Sequence, residues 1–270
     1  MKLCRFQPLR FSLEAVGHPG QGTRPDPRWG VIAGETVREI AGDVFAEWRA
    51  TEHALPLDEI KLLPPVTPGK IVCLGRNYSE HAAELGNSVP KEPLIFLKPP
   101  SAIIGPEEPI VLTPLSQRVD YEAELAVVIG RLCTQLRPGD DPRPYILGFS
   151  CLNDVTARDL QKADGQWTRA KGFDTFCPLG PVIETELDWK ASSVETYVNG
   201  QRRQSARATE MIFPVDDIIR WVSCMMTLFP GDVIATGTPA GIGPLRAGDV
   251  VEVVVSGVGT LRNPVIAQAS

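Results

Sequence analysis

Residues 119–130 read VDYEAELAVVIG, and this stretch decides how the chain folds. Val119, Tyr121, Ala123, Leu125, Val127 and Ile129 fall on one side of an extended strand. Asp120, Glu122, Glu124 and Ala126 fall on the other, because successive side chains of a strand point to opposite faces. The first side reads as core. The second carries adjacent acids and then turns apolar at Ala126 and Val128. Glu122 and Glu124 therefore project side by side where the strand is becoming buried.

The flanking sequence supports a strand-rich fold. Upstream, KIVCLGRNY (70–78) reads as a strand ending in Gly75, and SEHAAELG (79–86) as a short helix stopped by Gly86. LIFLKPPSAIIG (94–105) is a strand broken by two prolines. Downstream, PYILGFSCLNDVTARDLQKAD (144–164) is a strand running into a helix. VETYVNGQRRQ (194–204) is a hairpin turning on Asn199-Gly200, the strongest short hairpin signal in the chain. In FPVDDIIRWVSCMMTLF (213–229), Ile218, Ile219, Val222, Met225 and Met226 share a helical stripe. Residues 231–243 and 247–265 read as closing strands. With 25 prolines and 24 glycines between short apolar runs, the fold class is mainly β, of α+β type.

Residues 1–60 read as a small N-terminal module. WGVIAGETVREI (29–40) forms a hairpin with its turn near Ala33-Gly34, and AGDVFAEWRA (41–50) is read as a short helix. KLLPPVTPGK (61–70) is taken as a linker, since its prolines can continue neither a helix nor a central strand.

A chain of 270 residues accommodates one large domain or a small one plus a large one. Its formal charge of -6 argues against nucleic acid, which needs a basic face. It shows neither a signal-peptide core nor an uncharged apolar run of about 18 residues, so a cytoplasmic protein without membrane contact is expected. The six cysteines are scattered with no C-x-x-C pair, which suits reduced core thiols.

Two close carboxylates repel each other, and burial penalises each further. A proton, a basic partner or a metal must offset that cost. Oxygen-only ligands suit a hard cation such as Mg²⁺ or Mn²⁺, with Ca²⁺ admitted by the same donors. Asp154, where the strand 145–153 meets the helix after it, is the candidate third ligand. By pattern alone the alternative stands equally: a polar strand face in water, with Asp154 as a helix N-cap.

The ordered motifs resolve the choice. GRNYSEHAAE (75–84), FLKPPSAIIG (96–105), DYEAELAVVIG (120–130), NDVTARDLQ (153–161), RAKGFDTFCPLGP (169–181), MIF (211–213), PGDVIATGTPAGIG (230–243) and GTLRNPV (259–265) follow one another. In that order they resemble the fumarylacetoacetate hydrolase family. The likeness is greatest to its short bacterial members often labelled 2-hydroxyhepta-2,4-diene-1,7-dioate isomerase. The resemblance implies a catalytic domain over 69–266, a mixed β-sandwich roll, and a homodimer. It also implies a metal held by Glu122, Glu124 and Asp154.

Further roles follow from the same resemblance. His81 and Glu84, three apart on a helical turn, match the pair that activates water in hydrolytic members. Lys171 matches a lysine that contacts the substrate's acid or keto oxygens, and Lys98 is a weaker case of the same kind. Arg158 and Gln161, spaced i, i+3, can reach one pocket, and Arg158 can equally pair with a ligand carboxylate. Thr238 is placed to bind a carboxylate. The expected enzyme is a hydrolase cleaving a C–C bond of a 2,4-diketo acid such as an acylpyruvate or fumarylpyruvate. The rival is an isomerase or oxaloacetate decarboxylase acting on a dicarboxylate of aromatic catabolism. An inactive metal-stabilised scaffold is the remote alternative, disfavoured because a scaffold needs none of His81, Glu84 and Lys171. Specificity is expected from loops near 86–92, 162–170 and 201–210.

Overall fold

The computed structural model describes residues 1–9 and 26–269; His18 lies outside them. Strand Ala123–Ile129 is buried at every position. It pairs antiparallel with Ile146–Asn153 on one side and Val233–Ala235 on the other. That places it inside a sheet that has twelve strands among the described residues. Beyond Val233–Ala235, the sheet continues through Ile71–Gly75, a parallel neighbour, to Leu94–Lys98. In the other direction it runs from Ile146–Asn153 through Cys177–Glu184 to Lys2–Pro8 and the N-terminal hairpins.

Both faces of this sheet are covered. Leu125 and Val127 pack with Val253 and Leu261 of a five-stranded sheet, and with Ile218 and Ile219 of helix Val215–Met225. Ala126 and Val128 pack on the opposite side with Ile71, Val233 and Ile183. Each such aliphatic side chain contributes about 1.5–3 kcal/mol by leaving water. This two-sided burial is why the acidic face of the 119–130 stretch turns apolar after Glu124. The result is a mainly β fold of mixed sheets with few helices.

The strongest turn signals hold. Strands Ser193–Val198 and Gln201–Arg207 flank Asn199 and Gly200, whose φ values of 51° and 76° make the mirror-image turn that matches strand twist. Gly34, at φ 61°, closes the hairpin Arg28–Ala33/Thr36–Gly42.

Three expectations fail wholly or in part. The helix expected over 41–50 is absent; Gly42 ends one strand and Trp48–Pro56 begins the next. Gly42 adopts φ 104°, and Asp43 Oδ1 accepts from the Phe45 N–H at 2.9 Å, so the side chain stabilises a turn in place of a helix start. The stretch 61–70 is only partly a connector, because strand Ile60–Leu63 pairs antiparallel with Lys2–Pro8. On helix Val215–Met225 the expected stripe holds at Ile218, Ile219 and Val222, and Met226 just beyond packs against the same core, but Met225 is 51% exposed and Val215 and Ser223 join the buried face.

Candidate metal centre

The strand quoted first is interrupted at Glu122. Val119–Tyr121 belongs to a three-stranded sheet, and Ala123–Ile129 to the large one. At the break, the Glu122 N–H donates to Asn153 Oδ1 at 2.9 Å. The Asp154 N–H donates to the Glu122 carbonyl at 2.8 Å. These two bonds bring the end of strand Ile146–Asn153 against the Glu pair. Glu124 is held by the Gly237 N–H at 2.7 Å. One carboxylate oxygen from each of Glu122, Glu124 and Asp154 lies within 4.8 Å of the others.

The water-facing alternative does not describe this site. Glu122, Glu124 and Asp154 are 4%, 1% and 1% exposed. Asp154 is no helix cap either, since the helix is Arg158–Asp164 and its N-cap is Ala157.

Cations press on the triad from behind. Lys171 Nζ stands 2.8 Å from Glu122 Oε2 and 2.6 Å from Asp154 Oδ2. Lys98 Nζ donates to Asp154 Oδ1 at 2.7 Å and to the Val155 carbonyl at 3.1 Å. Arg158 donates through Nε to Asp120 Oδ2 at 2.9 Å, through Nη1 to Gln161 Oε1 at 2.7 Å, and through Nη2 to Glu122. Burial pushes the Glu122 carboxyl up, but Lys171 and Arg158 outweigh it and hold the group well below the usual range. The Lys171 ammonium is penalised by burial, yet Asp154 and Glu122 raise it above its ordinary value. Glu124 differs. Burial, Asp154 and Glu122 all drive its carboxyl well above 4.5, and Lys171 and the Gly237 N–H only partly oppose them.

Glu124 is thus a buried acid whose ionised form lacks sufficient positive charge. Three converging carboxylates with one under-compensated member fit a hard divalent cation, which supplies that charge and takes oxygen donors. Cys177 is also close, but burial pushes its thiol up to about 12, which leaves no thiolate for nucleophilic work.

Glu122 and Glu124 line a cavity of about 200 Å³. His81, Arg158, Gln161, Lys171 and Thr238 line it too. His81, on helix Ser79–Glu84, is 4% exposed, with Nδ1 3.4 Å from Glu84 Oε2. The Gly241 N–H donates to both Glu84 oxygens at 3.2 Å. Thr238 Oγ1 accepts from Gln204 Nε2 at 2.8 Å. Lys98 is the exception: it is not among the lining residues, and it is committed to Asp154.

Several contributors escaped the sequence reading. Asp120, 0% exposed, anchors Arg158 and accepts from Arg118 Nε at 2.8 Å. Its place on the same strand face as the Glu pair was the available signal. Asn153 was visible only as the neighbour of Asp154. Gln204 sits in a strand, not a loop, and bonds to Thr238, the Pro239 carbonyl and the Ala123 N–H; nothing local marks it. Trp167 and Asn87, from two of the expected specificity loops, do line the cavity.

Residues 70–266 match the family described as Fumarylacetoacetate (FAA) hydrolase C-terminal. The chain belongs to the fumarylacetoacetate hydrolase family. Residues 22–65 match a module described as Rv2993c-like, N-terminal. Protein Rv2993c of Mycobacterium tuberculosis is 49% identical over 234 residues, which cover 86% of this chain and 88% of that protein. The Oxaloacetate tautomerase Fahd2a, mitochondrial, of Rattus norvegicus is 40% identical over 245 residues, 86% of this chain and 77% of the relative. A crystal structure of 5-carboxymethyl-2-hydroxymuconate delta-isomerase from Mycobacterium smegmatis aligns with a TM-score of 0.87. It is 42% identical and covers 99% of this chain and 100% of that one. The fumarylacetoacetate hydrolase family is enzymatic, and this member keeps the acidic triad able to bind a divalent metal. Among the described residues, no helix is long and apolar enough to cross a membrane.

Proposed function

We propose that this enzyme moves a proton between C3 and the carbonyl oxygen of a short 2-keto acid, as a divalent-metal-dependent tautomerase or isomerase. The observation that carries the reading is the buried triad Glu122, Glu124 and Asp154 beside a cavity that also presents His81 and Lys171. Mg²⁺ or Mn²⁺ suits the three carboxylates. When bound, such an ion polarises the 2-keto group and favours the enolate formed by loss of a C3 proton. His81 faces the cavity, is oriented by Glu84, and carries the proton from C3 to the carbonyl oxygen or back. Lys171 keeps Glu122 ionised, ties it to Asp154 and places positive charge beside the substrate oxygens. Arg158 fixes Glu122, Gln161 and Asp120 in one arrangement. The tautomerase and isomerase names among the relatives favour proton transfer as the outcome.

One observation favours a second reading, hydrolysis of a 2,4-diketo acid. The His81–Glu84 pair is tied to the Gly241 backbone, a fixed orientation that also suits activation of water for C3–C4 cleavage. The test offers the Mg²⁺-loaded enzyme oxaloacetate in D₂O and, separately, acetylpyruvate. The expected result is accelerated C3 deuterium exchange by NMR, falling on the order of 10²–10⁴-fold in His81→Ala. Cleavage of acetylpyruvate without catalysed exchange would put hydrolysis first. Turnover of oxaloacetate to CO₂ that survives His81→Ala would point to decarboxylation. Inactivity towards both compounds would sink the 2-keto acid reading.

A further inference from the structure

The cavity holds two cations that nothing in it employs. Arg158 spends Nε, Nη1 and Nη2 on Asp120, Gln161 and Glu122, and Lys171 is spent on Glu122 and Asp154. Arg76 and Lys162 also line the cavity. Neither makes a hydrogen bond or ion pair among the described residues, although Glu122 and Glu124 line the same wall. Lys162 is exposed, as lysines often are. Arg76 is half-buried.

The backbone at Arg76 is unusual as well. Its φ is 59°, a left-handed conformation that costs a residue with a Cβ about 1–2 kcal/mol. Gly75 immediately before it adopts no such angle but is pinned: an added Cβ there would lie 2.7 Å from Trp167 Cζ3. Strand Ile71–Gly75 therefore ends against the Trp167 indole, and the chain turns at the arginine. A strained, half-buried guanidinium without a partner, lining a substrate-sized cavity, is a cost that a ligand can offset. Such strain gathers at ligand clamps because the contact made there compensates for it.

We propose that Arg76 is a specificity-determining residue, the group that receives the second carboxylate of a dicarboxylate substrate. The inference rests on reading the cavity as a 2-keto acid site and names the residue that ranks the acids it takes. The keto acid end is held at the triad, where the other cations are already engaged. Among the described residues, the far carboxylate then finds half-buried, uncommitted positive charge at Arg76, with the exposed Lys162 adding attraction at the rim. A planar guanidinium suits this task because it donates to both carboxylate oxygens at once.

The test uses two unreactive chelating acids that differ only at the far end, L-malate and 2-hydroxybutanoate, with oxalate as a probe of the metal end alone. Titration calorimetry on the Mg²⁺-loaded protein is expected to show malate binding tighter than 2-hydroxybutanoate. The difference should be on the order of 10- to 100-fold, the ratio that one charge-assisted carboxylate contact gives. Arg76→Gln should erase that preference while leaving oxalate affinity within about twofold of wild type, and Arg76→Lys should restore part of it. A wild type that binds both acids equally, or an Arg76→Gln variant that keeps the preference, would overturn the assignment. Equal loss of oxalate binding in both variants would also overturn it, by showing a structural role. These readouts need no turnover. A malate preference in an enzyme inactive on oxaloacetate would refute the proposed reaction and leave this inference standing.

Discussion

Replacing Lys171 by methionine separates the role of buried positive charge from that of shape. The Lys171 side chain is 2% exposed, and its Nζ lies 2.8 Å from Glu122 Oε2 and 2.6 Å from Asp154 Oδ2. Methionine keeps an unbranched apolar stem and removes the ammonium, whose Nζ stands 4.9 Å from the Phe96 ring centroid. At an effective dielectric of about 20, each contact is worth about 6 kcal/mol of Coulomb attraction. Desolvation of the ammonium offsets most of that, so loss of one buried partner nets about 3–5 kcal/mol. At about 2 °C per kcal/mol for a chain of this size, Lys171→Met should unfold about 6–10 °C below wild type in a chelator. Excess Mg²⁺ should recover most of the loss, because a cation at the triad replaces the missing charge. The metal-induced rise in Tm should therefore be larger in the variant. Scanning calorimetry in EDTA and in Mg²⁺ measures both quantities. A variant within about 2 °C of wild type in EDTA, or an identical metal shift in the two proteins, would refute this account of how the triad is held.

Two further outcomes follow from the same geometry. Gly75→Ala places a methyl group 2.7 Å from Trp167 Cζ3 and 2.9 Å from Cη2, so the indole must move relative to Phe96 and the cavity wall. The expected results are a stability loss of about 1–3 kcal/mol in urea unfolding and a raised KM. The second concerns protons. Because burial and two neighbouring acids hold the Glu124 carboxyl well above 4.5, the ion-free protein retains its proton as pH rises past that value. An incoming cation must displace it, so metal affinity should rise with pH and proton release should fall. Calorimetry in buffers of different ionisation enthalpy measures the release, and Glu124→Gln should remove this contribution.

Much of the fold was legible in short stretches. The 119–130 alternation, the Asn199-Gly200 turn and the helix after Pro214 follow from periodicity and turn chemistry, which act over a few residues. The misreadings were local too. Residues 41–50 carry apolar spacing compatible with a helix, and only the positive φ of Gly42 and the Asp43 side-chain bond turned them into a hairpin corner. Residues 61–63 read as part of a connector because of the prolines that follow at 64, 65 and 68, yet the strand Ile60–Leu63 pairs with Lys2–Pro8, more than fifty positions earlier.

By itself, the sequence determined that Glu122, Glu124 and Asp154 are the acids to watch, that His81 and Glu84 share a helical face, and that the chain is mainly β. It did so because alternation and i, i+3 spacing are properties of neighbours. Only the tertiary structure decided that the three acids converge out of water, since Glu124 depends on an N–H 113 positions away at Gly237. It likewise withdrew Lys98 from the cavity and bound it to Asp154, 56 positions on. It also joined Glu84 to Gly241, 157 positions on. Arg76 shows the same division: its charge is plain in the sequence, but that it lines the cavity with no partner among the described residues is visible only in the tertiary structure.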